Sequence, residues 1–186
     1  IRFSPSSLTI KKTGVYSSFT PTTSDLYDIV SVVWGKSSSF ACIRDDGAVV
    51  YYISSTSGVI DGLDVDAIYA SSGNFVVLLK DKTLYTLGSS IYNDLSHSTN
   101  GIGDIENSNF KHVFSTTYSV GAFAALKYDG TVATWGHQTY GGDSSSVTLT
   151  NVVTIYSTDR AFAALKSDGT VVTWGDSTYG GNSSSV

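Results

Sequence analysis

The sequence predicts an all-β fold built from four propeller-type repeats, either four blades or a partial propeller from a longer chain. Three observations carry that expectation. Residues 123–147 lie over residues 162–186 with 20 identities in 25 positions, at an offset of 39 residues. The skeleton of the same unit begins again at Phe40 and Phe75, so the four starts are spaced 35, 48 and 39 residues apart. Each unit also places a turn signal between two apolar runs, which is the local signature of a β-hairpin. Repeats of roughly 40 residues carrying several short strands are the pattern of radial blades.

The units are taken in chain order, with cores at residues 40–52, 75–88, 123–147 and 162–186. The first, Phe-Ala-Cys-Ile-Arg-Asp-Asp-Gly-Ala-Val-Val-Tyr-Tyr, keeps the leading Phe, Asp-Gly and the apolar run. The second keeps the Phe, one Asp, Thr83 and Gly88, with Lys82 where the others have Gly. The third and fourth read Phe-Ala-Ala-Leu-Lys-x-Asp-Gly-Thr-Val-x-Thr-Trp-Gly. In these, glycine after aspartate accepts the positive φ of a tight turn. Thr, Val, Trp and Tyr suit a half-buried pleated surface. A short apolar segment precedes each Phe, at residues 29–33, 65–68, 112–114 and 152–155, and adds a third strand. A fourth is expected if Ser-Ser-Ser-Val pairs as an edge. Tyr-Gly-Gly after the Trp-Gly reads as a turn.

The pattern of a short strand, then Phe-Ala-Ala-Leu-Lys-x-Asp-Gly-Thr-Val-x-Thr-Trp-Gly, resembles the regulator-of-chromosome-condensation repeat over residues 29–186. The resemblance implies a propeller fold. Members of that family usually close seven blades, whereas four units occur here, and Tyr-Gly-Gly stands where the family ends on a Gly-Gln-Leu-Gly-like stretch. The fold hosts exchange factors, enzyme inhibitors and adaptors alike, so it fixes no partner. Guanine-nucleotide exchange is implied by the resemblance alone.

Residues 1–28 match no repeat and are expected to form a linker or a strand closing the last blade, with strands near Leu8–Ile10 and Gly14–Tyr16. At the other end, residues 183–186 stop where the preceding copy runs on. That favours an arc of a longer repeat array, with a small closed ring or assembly of several copies as alternatives. Residues 89–109 lengthen the spacing between the second and third units and are expected to be a surface insertion.

Composition narrows the functional classes. Net charge is −5, and charged residues are only 15% of the chain without any Lys/Arg cluster, so a phosphate-tracking nucleic-acid surface is not expected. The longest apolar run, residues 75–79, is far too short for a membrane-spanning helix, so no membrane insertion is expected. Ser and Thr supply 52 of the 186 residues, a bias that tilts the expectation towards an extracellular or particle-surface β protein. Asn182-Ser-Ser184 fits the N-glycosylation pattern.

No cofactor, metal site or catalytic group is expected. Cys42 is the single cysteine and aligns with an Ala of the later copies, which predicts a buried small hydrophobe. His97, His112 and His137 stand apart, without metal-ligand spacing. Asp61, Asp64 and Asp66 lack the order of a calcium loop. Asp129 and Asp168 precede the hairpin Gly and are expected to serve the turn rather than acid–base chemistry. Trp135 and Trp174 are expected to pack between blades, with an exposed glycan-stacking role as the alternative. Tyr140 and Tyr179, with Tyr92 as their counterpart, follow in the next turn. Together with Asp143 and Asn182 they are the candidate protein-binding residues, since tyrosine is enriched at interfaces. The reading is therefore a non-catalytic protein-binding or scaffold module. The alternative is a structural component of a surface assembly.

Overall fold

The computed structural model describes residues 9–12, 15–18, 29–35, 39–53, 56–88, 109–118 and 121–183. Strands β1 (Thr9–Lys12) and β2 (Val15–Ser18) pair with each other in a sheet of their own. Four antiparallel sheets follow, one for each repeat. The first blade contains β3 (Ile29–Trp34), β4 (Phe40–Arg44), β5 (Val49–Ile53) and β6 (Thr56–Ile60). The second contains β7 (Val65–Ser71), β8 (Asn74–Leu79) and β9 (Leu84–Leu87). The third is β10 (Phe110–Ser115), β11 (Ala122–Lys127) and β12 (Val132–Gly136), and the fourth is β13 (Val152–Ser157), β14 (Ala161–Lys166) and β15 (Val171–Gly175).

Within each blade the strands follow one another as a meander. The first strand of every blade carries a bulge at the same place: between Ile29 and Ser31, Val65 and Ala67, Phe110 and His112, and Val152 and Thr154. A bulge bends one strand and adds local twist, so its recurrence marks the four units as copies of one geometry. The hairpin aspartates serve the turn. Asp129 Oδ1 accepts hydrogen bonds from Thr131 N (2.8 Å) and Thr131 Oγ1 (2.7 Å), and Asp168 does the same with Thr170. These donors hold both carboxyls below the usual aspartate value. In the second blade, Lys82 takes the left-handed turn position at φ 71°, and its ammonium pairs with Asp66.

The expected Ser-Ser-Ser-Val edge strand does not form in the third blade. Residues 144–147 are instead a turn closed by Val147 N donating to Ser144 O at 3.1 Å, with the buried Ser144 hydroxyl 2.9 Å from that of Thr134. Pinning this hydroxyl onto β12 draws the segment off the sheet edge. Among the described residues only the first blade has a fourth strand, β6.

The core lies between blades, and each blade uses its two faces differently. One face carries a large aromatic pair: Phe40–Tyr52, Phe123–Trp135 and Phe162–Trp174 have ring centroids 6.0, 5.3 and 5.1 Å apart. The other carries smaller aliphatics: Ala41, Ile43 and Val49; Val76, Leu78 and Leu84; Ala124, Leu126 and Val132. The aromatic face of each later blade packs into the aliphatic face of the blade before it, forming three successive clusters. Trp135 and Trp174 are 0% and 2% exposed, so the alternative of an exposed stacking platform is excluded for both. Burying one such indole removes about 150–250 Å² from water, a transfer term on the order of 4–6 kcal/mol. Cys42 sits inside the first blade at 0% exposure, and burial pushes its thiol pKa up to about 12, leaving it inert at neutral pH.

Candidate functional site

In the fourth unit Arg160 stands immediately before β14, and β12 of the third is followed by a short 3-10 turn, Gln138–Tyr140. The fourth ends in the matching turn Ser177–Tyr179. These local structures bring an arginine and three tyrosines together at one rim of the last two blades. The Arg160 guanidinium lies 3.5 Å from the ring centroid of Tyr118, 4.3 Å from Tyr179 and 5.4 Å from Tyr140. Tyr118 meets Tyr140 edge-on at 5.4 Å, and His137 stacks on Tyr140 at 4.0 Å. A cation placed over aromatic faces is attracted by the ring quadrupole, and more so when water is excluded.

The backbone around this group is tightly held. Asp176 N donates to Arg160 O at 2.9 Å, and the Asp176 carboxylate lies 3.7 Å from the Arg160 guanidinium. Asp176 also caps its 3-10 turn by accepting from Thr178 N at 2.9 Å. Thr158 Oγ1 donates to Tyr179 O at 2.9 Å, and Tyr118 N donates to Asp159 O at 3.1 Å. The Arg160 Nε is buried without a hydrogen-bond partner among the described residues. Desolvation lowers the His137 pKa, so this imidazole is predominantly neutral at pH 7.

Beside the aromatic group lies an open cleft of about 440 Å³, lined by Gln138, Thr139, Asp143, Ser145, Ser146, Gly175, Asp176 and Ser177. Its walls are hydroxyls, an amide and two carboxylates, and Asp143 Oδ1 accepts from Ser145 N at 2.9 Å. The combination of rigid aromatic rim and polar cleft suits a surface that binds by contact area and hydrogen bonds. Among the described residues no group of three His, Cys, Asp or Glu side chains could hold a metal ion.

Three of the five candidate residues meet here. Tyr179 is 38% exposed at the rim, and Tyr140 is half-buried, packing on the core between the last two blades. Asp143 lines the cleft. Asn182 is exposed, just beyond the second 3-10 turn. Tyr92, His97 and residues 89–108 of the 89–109 insertion lie outside the described residues. Sequence reasoning missed Arg160, Tyr118 and Asp176. The available signal was the arginine itself, one of only three in the chain, standing where the previous copy has Gly121.

The remaining candidates have structural duties. His112 Nδ1 is 3.0 Å from the Tyr69 hydroxyl across the second and third blades. Asp64 and Asp66 pair with Lys80 and Lys82 on the neighbouring hairpin. Neither arrangement gathers reacting groups.

No protein-family model and no curated protein matches the sequence. Solved structures do match. The ectodomain of the Physcomitrella patens receptor kinase CR4 superposes with a TM-score of 0.54 at 15% identity, covering 87% of this chain and 41% of that one. Human WBSCR16 gives 0.51 at 17% identity, covering 87% and 50%. Yeast RCC1 (Prp20), in its structure with Kap60, gives 0.55 at 13% identity, covering 86% and 46%. The fold is thus the RCC1-type propeller expected from the repeats, and this chain spans half or less of each of those chains.

Proposed function

We propose that this chain is a non-catalytic protein-binding or scaffold module that presents the rim of its last two blades to a protein partner. The observation that carries the reading is the Arg160-centred tyrosine group beside the polar cleft. Tyrosine and arginine are the residues most enriched at interface hot spots, because a rigid ring and a planar cation give large contact area at little entropic cost. Here the backbone hydrogen bonds around Asp176, Thr158 and Asp159 have already fixed their positions. That lowers the ordering cost of association. A propeller of the same fold, yeast RCC1 (Prp20), is bound to the protein Kap60 in its structure.

The test is proximity cross-linking in the source organism with wild type and the double variant Tyr179→Ala, Asp143→Lys. Both positions are at the surface of the rim and leave the core untouched. We expect a discrete set of protein cross-links that the double variant loses by about tenfold or more, the effect of about 1.4 kcal/mol or more in binding. Urea unfolding should be nearly unchanged. Equal cross-linking by a folded double variant refutes the reading.

A further inference from the structure

Among the described residues, four aspartates are followed directly by glycine: Asp46, Asp61, Asp129 and Asp168. Three of them sit in the hairpin turns, and there both ends of the dipeptide are tied down. Asp46 Oδ1 accepts from Ala48 N at 3.0 Å, and its carboxylate pairs with Arg44. Asp129 and Asp168 each accept from the N–H and the hydroxyl of the threonine two residues on. The glycine amides are engaged as well. Gly47 N donates to Arg44 O at 3.0 Å, Gly130 N to Lys127 O at 3.1 Å and Gly169 N to Lys166 O at 3.0 Å.

Asp61-Gly62 is the exception. It lies outside the hairpins, in the link between β6 of the first blade and β7 of the second. Among the described residues, neither the Asp61 carboxylate nor the Gly62 amide makes a hydrogen bond. Both residues are exposed, and a Cβ built on Gly62 would meet nothing within 4 Å. The glycine conformation is not what sets this dipeptide apart: φ is 78° at Gly62 against 85°, 80° and 85° at Gly47, Gly130 and Gly169. The difference is tethering. The flanks of the link are held, since Ile60 pairs with Val49, Leu63 packs on the core and Asp64 O accepts from Lys80 N at 2.7 Å.

We propose that Asp61-Gly62 is a site of spontaneous backbone modification, where aspartate is converted to isoaspartate through a cyclic imide. The Gly62 nitrogen attacks Asp61 Cγ. As the N–Cγ bond forms, one carboxyl oxygen leaves as water, taking the acid proton and the amide proton. Water then adds to the backbone carbonyl of Asp61 in the ring, and the bond from that carbon to the Gly62 nitrogen breaks. The chain now runs through Cγ, and the former backbone carbonyl has become a free carboxylate. Nothing is oxidised or reduced, and the one water consumed replaces the one released. Glycine places no side chain in the way of ring closure. An amide already donating to a carbonyl must break that bond before it can attack, and a carboxylate gripped by donors must break free before it can lose water. The same donors hold the carboxyls of Asp46, Asp129 and Asp168 below the usual aspartate value, which depletes the neutral acid that dehydrates. The product adds one methylene to the main chain between the first two blades. Because β6 and β7 are each held by their own strand partners, the added length stays in the link.

The experiment ages the intact 186-residue chain at mildly acidic pH, folded in one arm and in guanidinium chloride in the other. Peptide mapping with electron-transfer fragmentation tells the two linkages apart at each Asp-Gly. The conversion is mass-neutral, so it is separated from deamidation at Asn100-Gly101, which changes the mass. In the folded protein we expect isoaspartate at Asp61 to accumulate about tenfold or more faster than at Asp46, Asp129 or Asp168, since ring closure in those turns must first break at least two hydrogen bonds of ordinary net strength. In denaturant the four rates should converge. A folded rate at Asp61 no higher than at the other three overturns the proposal. So does a preference for Asp61 that persists in denaturant, because the flanking sequence rather than the fold would then select the site.

Discussion

Trp135 and Trp174 form a matched pair from which the energy of one inter-blade hydrogen bond can be read. Both indoles are buried, and both stack on the Phe of the neighbouring strand at nearly the same distance and tilt, 5.3 Å and 19° against 5.1 Å and 21°. They differ at the indole nitrogen. Trp174 Nε1 donates to Gly141 O at 3.0 Å, while Trp135 Nε1 is buried without a hydrogen-bond partner among the described residues. Replacing either by Phe removes the same atoms, so lost transfer energy and cavity terms largely cancel in the comparison. Trp174→Phe also loses a net hydrogen bond of about 1 kcal/mol, whereas Trp135→Phe removes an unsatisfied buried donor that costs about 1–3 kcal/mol. Trp174→Phe should therefore be the more destabilising by about 2–4 kcal/mol. The assay is urea unfolding followed by far-UV circular dichroism, with equal m-values required before the midpoints are compared. Equal losses, or a larger loss for Trp135→Phe, would refute the assignment of this bond as the lock between the last two blades.

Two other expectations rest on equally local contrasts. Gly141→Ala and Gly180→Ala share a left-handed backbone and hence a common strain of about 1–2 kcal/mol. Only the first also drives a methyl against Phe162 and Trp174, an overpacking cost of about 1–3 kcal/mol more. Unfolding midpoints that fall equally for both would contradict the packing. Acidification should destabilise the fold in two stages. Desolvation lowers the pKa of His112, with help from Lys111, and of His137, so the unfolded chain binds more protons. Their contribution is complete above the unfolded value of about 6.5 and is lost as pH falls from there through the lower folded values. The hydrogen-bonded Asp81, Asp129 and Asp168 are also held below their unfolded value, and their contribution disappears only at still lower pH. The urea midpoint should therefore drop between about pH 7.5 and pH 5, with the slope reduced in His112→Gln, His137→Gln. A flat or rising midpoint there would reject the first stage.

The parts of the fold legible in the sequence are those that a short window determines. Asp-Gly-Thr specifies its own turn, because the aspartate reaches only two residues ahead to the Thr N–H and hydroxyl. Alternation along Phe-Ala-Ala-Leu and Val-x-Thr-Trp assigns each side chain to a face, so burial of Trp135, Trp174 and Cys42 could be expected before any coordinates. The rim was less legible. Arg160 gains its meaning from Tyr118 and Tyr140 in the preceding unit, and repeat alignment sets it opposite Gly121, where it looks like drift. Strand β6 was missed for a related reason. Thr-Ser-Gly-Val-Ile carries Gly58 at its centre, a residue depleted in strands, and its pairing with β5 overrides that break.

The last two units take this argument to its limit, because nearly the same residues occupy two environments. Val132 and Val171 follow the same Asp-Gly-Thr turn, Tyr140 and Tyr179 end the same 3-10 turn, and Thr134 and Thr173 precede the same Trp-Gly. Yet Val132 is buried and Val171 exposed, and the Thr134 hydroxyl has Ser144 while that of Thr173 has no hydrogen-bond partner among the described residues. No difference within the 25 aligned positions explains this, since the side chains in question are identical. The cause is the neighbour: the third blade is packed by the fourth, whereas among the described residues no further blade packs on that face of the fourth. A repeat sequence therefore encodes what a blade can accept, and the count and order of blades decide which acceptances are filled.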